Sequence, residues 1–142
     1  GWIWGHRLVS NKALNGLAIG DFIKDVVQVF ADTVSGVSVP GISGPKMAVF
    51  SGHDSTLFPL LTALGGFDGS WPPYASRIQI ELLRVVNEGG DTADYRVQLI
   101  YNGREASLCG HSSGAPVRYE EFVTHLNQFI VADMAAACAV DA

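Results

Sequence analysis

The apolar run Met47-Ala48-Val49-Phe50 passes directly into Ser51-Gly52-His53-Asp54-Ser55, and a helix-compatible stretch follows from Thr56 to Leu64. Short strands without polar residues are usually covered on both faces, as in the parallel sheets of α/β proteins. The reading is therefore a strand over Lys46 to Ser51, a polar turn, and a helix with Ser55 or Thr56 as N-cap, Pro59 in its first turn and Gly65-Gly66 as its stop. Ligands in open α/β sheets bind at the carboxyl ends of strands, and that is where this turn lies.

The elements on either side fit a layered α/β fold. From Gly16 to Phe30, Ile19, Phe22, Ile23, Val26, Val27 and Phe30 recur at helical spacing, with Asp21, Lys24, Asp25 and Gln28 on the other face. Ser35 to Pro45 is rich in Gly, Ser and Pro and reads as a loop. After the loop Phe67 to Tyr74, the period changes from helical to two. Ser76 to Val86 alternates as a half-buried strand, and so does Tyr95 to Tyr101, which places Tyr95, Val97, Leu99 and Tyr101 on one face. Glu88-Gly89-Gly90-Asp91 joins them, and Asn102-Gly103 signals a hairpin turn before a further strand over Arg104 to Leu108. A loop over Gly110 to Pro116 leads to a last helix, Tyr119 to Ala137, whose apolar side is Phe122, Val123, Leu126, Phe129, Ile130 and Met134. The expected fold class is α/β: a central mixed, largely parallel sheet flanked by helices, with a late antiparallel hairpin.

Composition removes several functions. The chain has 142 residues, enough for one domain with a substantial core, and 48% of them are hydrophobic. A net charge of −5 and nine scattered Lys and Arg residues give no basic stripe for a nucleic-acid backbone. The longest apolar candidate for a membrane span, Phe129 to Val140, is broken by Asp133. The start Gly1-Trp2-Ile3-Trp4 has no signal-peptide layout and reads as an internal segment of something longer. Cys109 and Cys138 allow one internal disulfide or two bridges to residues outside the chain.

The residues that can carry chemistry are His53 and Asp54. At a helix N-terminus, backbone N–H groups and the helix dipole attract an anion. His53 can add a charge or a hydrogen bond, and a protonated Asp54 can give its proton to a departing oxygen, a combination suited to phosphoryl transfer. The residues alone leave a second reading open, in which the pair only caps the helix. Other candidates are weaker. Cys109, His111, His125 and Cys138 lack the spacing of a metal site, and His125 falls on the polar face of the last helix. Gly41 to Lys46 precedes its strand and reads as a linking loop, and no Gly-x-Ser-x-Gly elbow occurs. In Trp71-Pro72-Pro73-Tyr74, the prolines restrict the entry into the next strand.

Ser51-Gly52-His53-Asp54-Ser55-Thr56-Leu57, followed by Pro72-Pro73-Tyr74-Ala75-Ser76, resembles the C-terminal half of the histidine acid phosphatases, the acid phosphatase and phytase branch of the histidine phosphatase superfamily. Asn15-Gly16-Leu17, the strand Arg77 to Leu83, the hairpin at Asn102-Gly103 and the cysteine-bearing tail extend the likeness from about Lys12 to Cys138. It implies that residues 1–142 form the C-terminal portion of such a domain. His53 then matches the second active-site histidine, a substrate-binding residue that contacts the transferring phosphoryl group, and Asp54 matches the general acid. The attacking histidine belongs to an Arg-His-Gly-x-Arg-x-Pro motif that is absent here; Gly5-His6-Arg7 has its letters reversed and is given no role. The chain is accordingly expected to supply the proton-donating part of an acid phosphatase, to need the missing N-terminal half as its partner, and to be inactive and aggregation-prone alone. A phytase-like phosphatase and a non-catalytic, phosphatase-derived interaction module are the rivals.

The resemblance further implies a phosphomonoester substrate and no metal or cofactor, cationic side chains supplying the charge stabilisation. It implies an extracytoplasmic location, secreted, lysosomal or membrane-anchored, and leaves a homodimer open. In such proteins the cysteine near Cys109 often pairs four residues on, where Ser113 stands here. The cysteine near Cys138 usually reaches back to the upstream half, the alternative being a Cys109–Cys138 bridge.

Overall fold

The computed structural model describes residues 7, 9–36, 47–86 and 93–139. Among the described residues, helices and an antiparallel sheet make a mixed α/β arrangement. Helix α1 is Lys12–Val34, longer at both ends than its apolar periodicity. It starts where the Asn11 side chain accepts a hydrogen bond from the Leu14 N–H at 3.1 Å, which satisfies one of the donors a helix start leaves unpaired. Its buried face is Asn15, Gly16, Ile19, Gly20, Ile23 and Val26.

Helix α2 is Asp54–Leu64, and its N-cap is His53, not Ser55 or Thr56. The His53 carbonyl accepts from the Thr56 and Leu57 N–H groups at 2.9 and 3.0 Å, which sets the first turn two residues earlier than expected. Pro59 consequently lies inside the helix and not in its first turn. The stop is as read: Gly65 adopts φ 81°, and the Gly66 N–H reaches the Leu61 carbonyl at 2.9 Å. These are the bonds of a Schellman closure.

The sheet has β2 (Ala93–Tyr101) at its centre. On one side, β1 (Ile78–Val86) pairs with it antiparallel in the register Ile78 to Tyr101 and Val86 to Ala93. On the other side are β3 (Arg104–Glu105) and β4 (Val117–Arg118), both antiparallel to β2. The Asn102-Gly103 hairpin forms with both residues at positive φ, 49° and 80°, as the tight turn matching strand twist requires. Of the strand expected over Arg104 to Leu108, only two residues pair in β3; Leu108 makes an isolated bridge with His111. The alternation of β2 sends Val97, Leu99 and Tyr101 into the core. There Val97 and Leu99 meet Ile19, Ile23 and Val26 of α1, Leu60, Ala63 and Leu64 of α2, and Phe122 and Leu126 of α3 (Tyr119–Asn127).

Two expectations need correction. The strand over Lys46 to Ser51 is not formed in its described part: residues 47–51 join no ladder, and Met47, Val49 and Phe50 are exposed. Phe50 rests its ring edge-on against Phe22 of α1, with centroids 5.0 Å apart, but no described strand lies beside the segment to accept its backbone bonds. The sheet is accordingly antiparallel, and the expected parallel layer is not among the described residues. The last helix, read as continuous from Tyr119 to Ala137, is two: α3, then α4 (Met134–Cys138), capped by the Asp133 side chain on the Ala136 N–H at 2.9 Å. The break lets the chain at Phe129 lie against α1 at Gly16 and Gly20. A Cβ at either glycine would stand 2.7 or 2.6 Å from the Phe129 carbonyl oxygen, closer than any real contact. The loop Ser35 to Pro45 beyond Gly36, the turn at Glu88 to Asp91, and Gly5 and His6 lie outside the described residues.

Candidate active site

The turn before α2 is built around a close approach. A Cβ on Gly52 would meet the Thr56 side chain at 3.2–3.3 Å, so glycine lets the incoming chain pass tightly over the helix start. His53 follows in extended geometry, φ −99° and ψ 171°, exposed and without a side-chain capping bond. Asp54 is the first helical residue and is also exposed. Sequence neighbours thus become site neighbours: one ring and one carboxylate, both open to solvent.

Asp54 is the better-held of the two. One carboxylate oxygen, Oδ1, accepts from the Ser55 N–H at 2.7 Å, and the other, Oδ2, accepts from the indole Nε1–H of Trp71 at 2.9 Å. The indole bond, then the Ser55 N–H, and also the nearby His53 hold the Asp54 carboxyl below the usual carboxylate range, against the opposing effect of desolvation. The negative charge at the start of α2 is therefore the protein's own. The Ser55 N–H is committed to Asp54 and the Thr56 N–H to the His53 carbonyl, so the open anion cradle expected from the sequence is partly filled.

Trp71 is the neighbour of Asp54 that sequence reasoning missed. It stacks on Phe58 of α2 with centroids 5.1 Å apart and planes 25° apart, and Phe58 meets Phe67 edge-on at 5.0 Å. Aromatic pairs at such distances favour these offset and edge geometries. The loop carrying Trp71 is tied at its far end as well. Ser76 Oγ donates to the Pro73 carbonyl at 2.8 Å, and the Asn102 side chain accepts from the Arg77 N–H at 2.9 Å while donating to Ser76 Oγ at 3.2 Å. The hairpin turn thus anchors the Pro72–Ser76 segment, and through it the tryptophan. The one available signal was an indole, a donor without acceptor capacity, seventeen residues beyond a carboxylate that needs donors.

Two of the remaining candidates, Cys109 and His125, meet the opposite end of α2. Cys109 donates its N–H to the Leu64 carbonyl at 2.9 Å, and His125 Nε2 lies 2.8 Å from the Ala63 carbonyl, so it carries the proton there. His125 is half-buried, which corrects its expected place on a solvent face: a carbonyl freed at the helix end draws it inward. His111 pairs with Glu121 at 2.5 Å. Burial, and after it the charge of Glu121, pushes the Cys109 thiol up to about 12. Cys109 and Cys138 are both free thiols, so the internal bridge is not formed.

Comparison with known families matches residues 20–102 to the histidine phosphatase superfamily (branch 2). The chain belongs to that superfamily. The matched stretch includes His53, Asp54 and Trp71. Among curated proteins, this histidine phosphatase chain is similar to lysophosphatidic acid phosphatase type 6 of Mus musculus, 36% identical over 89 residues, which is 63% of this chain and 20% of that protein. It is similar to counting factor 60 of Dictyostelium discoideum, 32% identical over 109 residues, 77% of this chain and 23% of that protein. Testicular acid phosphatase of Homo sapiens is 41% identical over 64 residues, 44% of this chain and 15% of that protein. The chain spans about a fifth of the length of the curated relatives it matches.

Proposed function

We propose that the chain is the C-terminal portion of an acid phosphatase domain and contributes its proton donor, Asp54, with His53 binding the phosphoryl group. The observation that carries this is the fixed carboxyl at the first position of α2, next to an exposed histidine, in a chain of the histidine phosphatase superfamily. In the whole protein a histidine from elsewhere in the polypeptide attacks phosphorus. The P–N bond forms as the P–O bond to the alcohol breaks, and the leaving oxygen takes the proton of Asp54. Water then attacks the phosphohistidine, its proton returns to Asp54, and inorganic phosphate leaves. An alkoxide is a poor leaving group, so a placed acid is worth roughly 10²–10⁴-fold in rate.

The lowered proton affinity of Asp54 bears on the working pH. Two donors favour its ionised form, so the acid is populated at low pH, or when a bound phosphate dianion opposes a second negative charge beside it. Both conditions suit an acid phosphatase. The rest of the polypeptide would complete the parallel layer and cover Met47, Val49 and Phe50. An oxidising, extracytoplasmic compartment would let the exposed Cys138 bridge to a cysteine there.

The test is vanadate binding and phosphomonoester turnover in the full-length protein before and after Asp54→Ala. Turnover is expected to fall on the order of 10²–10⁴-fold while vanadate affinity changes little; equal losses in both would refute the donor role. By itself the 142-residue chain is expected not to hydrolyse p-nitrophenyl phosphate. Hydrolysis that disappears in His53→Ala would contradict the division of the site.

A further inference from the structure

We propose that Trp71 is a positioning residue for proton transfer, its indole N–H and its stack on Phe58 fixing the orientation of the Asp54 carboxyl group. The inference rests on the donor role of Asp54 and adds a residue to it. Three observations converge. The Nε1–H to Oδ2 bond is 2.9 Å long and joins residues seventeen apart in the chain. The ring that supplies it is held on its face by Phe58, itself buried and held by Phe67. The loop behind it is pinned by Pro73, Ser76 and Asn102. A solvent-exposed aspartate would otherwise sample several rotamers.

The geometry also limits where the proton sits. Trp Nε1–H and the Ser55 N–H are donors only, and each takes a lone pair on a different carboxylate oxygen. A proton on Asp54 must occupy one of the remaining lone pairs, directed away from both donors. Trp71 thereby selects the direction from which a leaving oxygen is protonated. It also makes Asp54 a stronger acid, since a hydrogen bond to the charged form favours that form. The cost is a smaller protonated fraction at a given pH, so the enzyme is held to acidic conditions.

The experiment measures kcat against pH for the full-length protein, wild type and Trp71→Phe, with Asp54→Asn and the double variant alongside. Phe keeps a ring on Phe58 and removes only the N–H. The basic limb of the profile, where Asp54 loses its proton, is expected to move to higher pH in Trp71→Phe, with maximal kcat down about tenfold, the worth of one hydrogen bond to a charged group. In an Asp54→Asn background the same change should cost almost nothing further, because the two residues act as one unit. A Trp71→Phe enzyme whose basic limb stays in place, or whose loss is as large without Asp54, would overturn the proposal. If Asp54→Asn itself leaves the basic limb untouched, the donor role of Asp54 fails instead, and the two failures are distinguishable. Should Trp71→Phe not fold, 3-benzothienylalanine at position 71 keeps the bicyclic shape without the N–H and is read by the same criteria.

Discussion

The two ends of α2 are held by opposite means. At its C-terminal end, Ala63 and Leu64 are fully buried, and their carbonyls are met by His125 and the Cys109 N–H, brought in from more than forty residues away. At its N-terminal end, His53 and Asp54 are exposed, and a single tryptophan side chain reaches across to Asp54. Bonds at the first end are enclosed and redundant with packing. Those at the second are open, as chemistry on a substrate requires. On the proposed reading, one helix thus carries a structural end and a reactive end, and a change at one should leave the other largely intact.

The largest effect expected on the structural end is from Leu64→Ala. Deleting a wholly buried leucine side chain should cost about 2–5 kcal/mol in chemical denaturation of the full-length protein. A loss below ~1 kcal/mol would mean that this end is not the enclosed core it is taken for. His125→Ala should cost less than Leu64→Ala, about 1–2 kcal/mol, by stranding the buried Ala63 carbonyl, and His125→Gln should recover some of it.

Thiol chemistry sharpens the same contrast. With its thiol pushed up to about 12, Cys109 is ionised to roughly one part in 10⁴ at pH 8, so in the reduced protein an alkylating reagent should label exposed Cys138 many times faster. Equal labelling rates would deny the burial at Cys109. The smallest effect concerns pH and stability at the reactive end. Because the folded state depresses the proton affinity of Asp54, its bond to Trp71 stabilises above the ordinary carboxylate range and is lost as pH falls through the lowered folded value. The stability gap between wild type and Trp71→Phe should therefore narrow in acid; a gap independent of pH would show that only ring packing had been lost.

The structural end was partly legible in the sequence and the reactive end differently so. The period-two alternation of β1 and β2, the Asn102-Gly103 turn and the Gly65-Gly66 stop are local signals, and each appears where its residues put it. The break between α3 and α4 was not legible, because it depends on Phe129 crossing α1 at two glycines more than a hundred residues upstream. The apolar run at 47–50 states a need for neighbouring strands, and pattern alone cannot say whether the described residues supply them. His53 and Asp54 were identifiable because adjacency in sequence already made them a pair. Trp71 was not, since its role comes from a loop fold that brings an indole to a carboxylate, and the residues around it read first as a proline-rich strand entry.

The central claim is that Asp54 delivers the leaving-group proton, and dependence on the leaving group tests it most directly. Turnover of a series of phosphomonoesters, from p-nitrophenyl phosphate to simple alkyl phosphates, should be compared in full-length wild type and Asp54→Asn under conditions where phosphoryl transfer limits the rate. The account predicts that the variant loses on the order of 10²–10⁴-fold on alkyl phosphates but far less on p-nitrophenyl phosphate, whose leaving group hardly needs the proton. Equal losses across the series would contradict it.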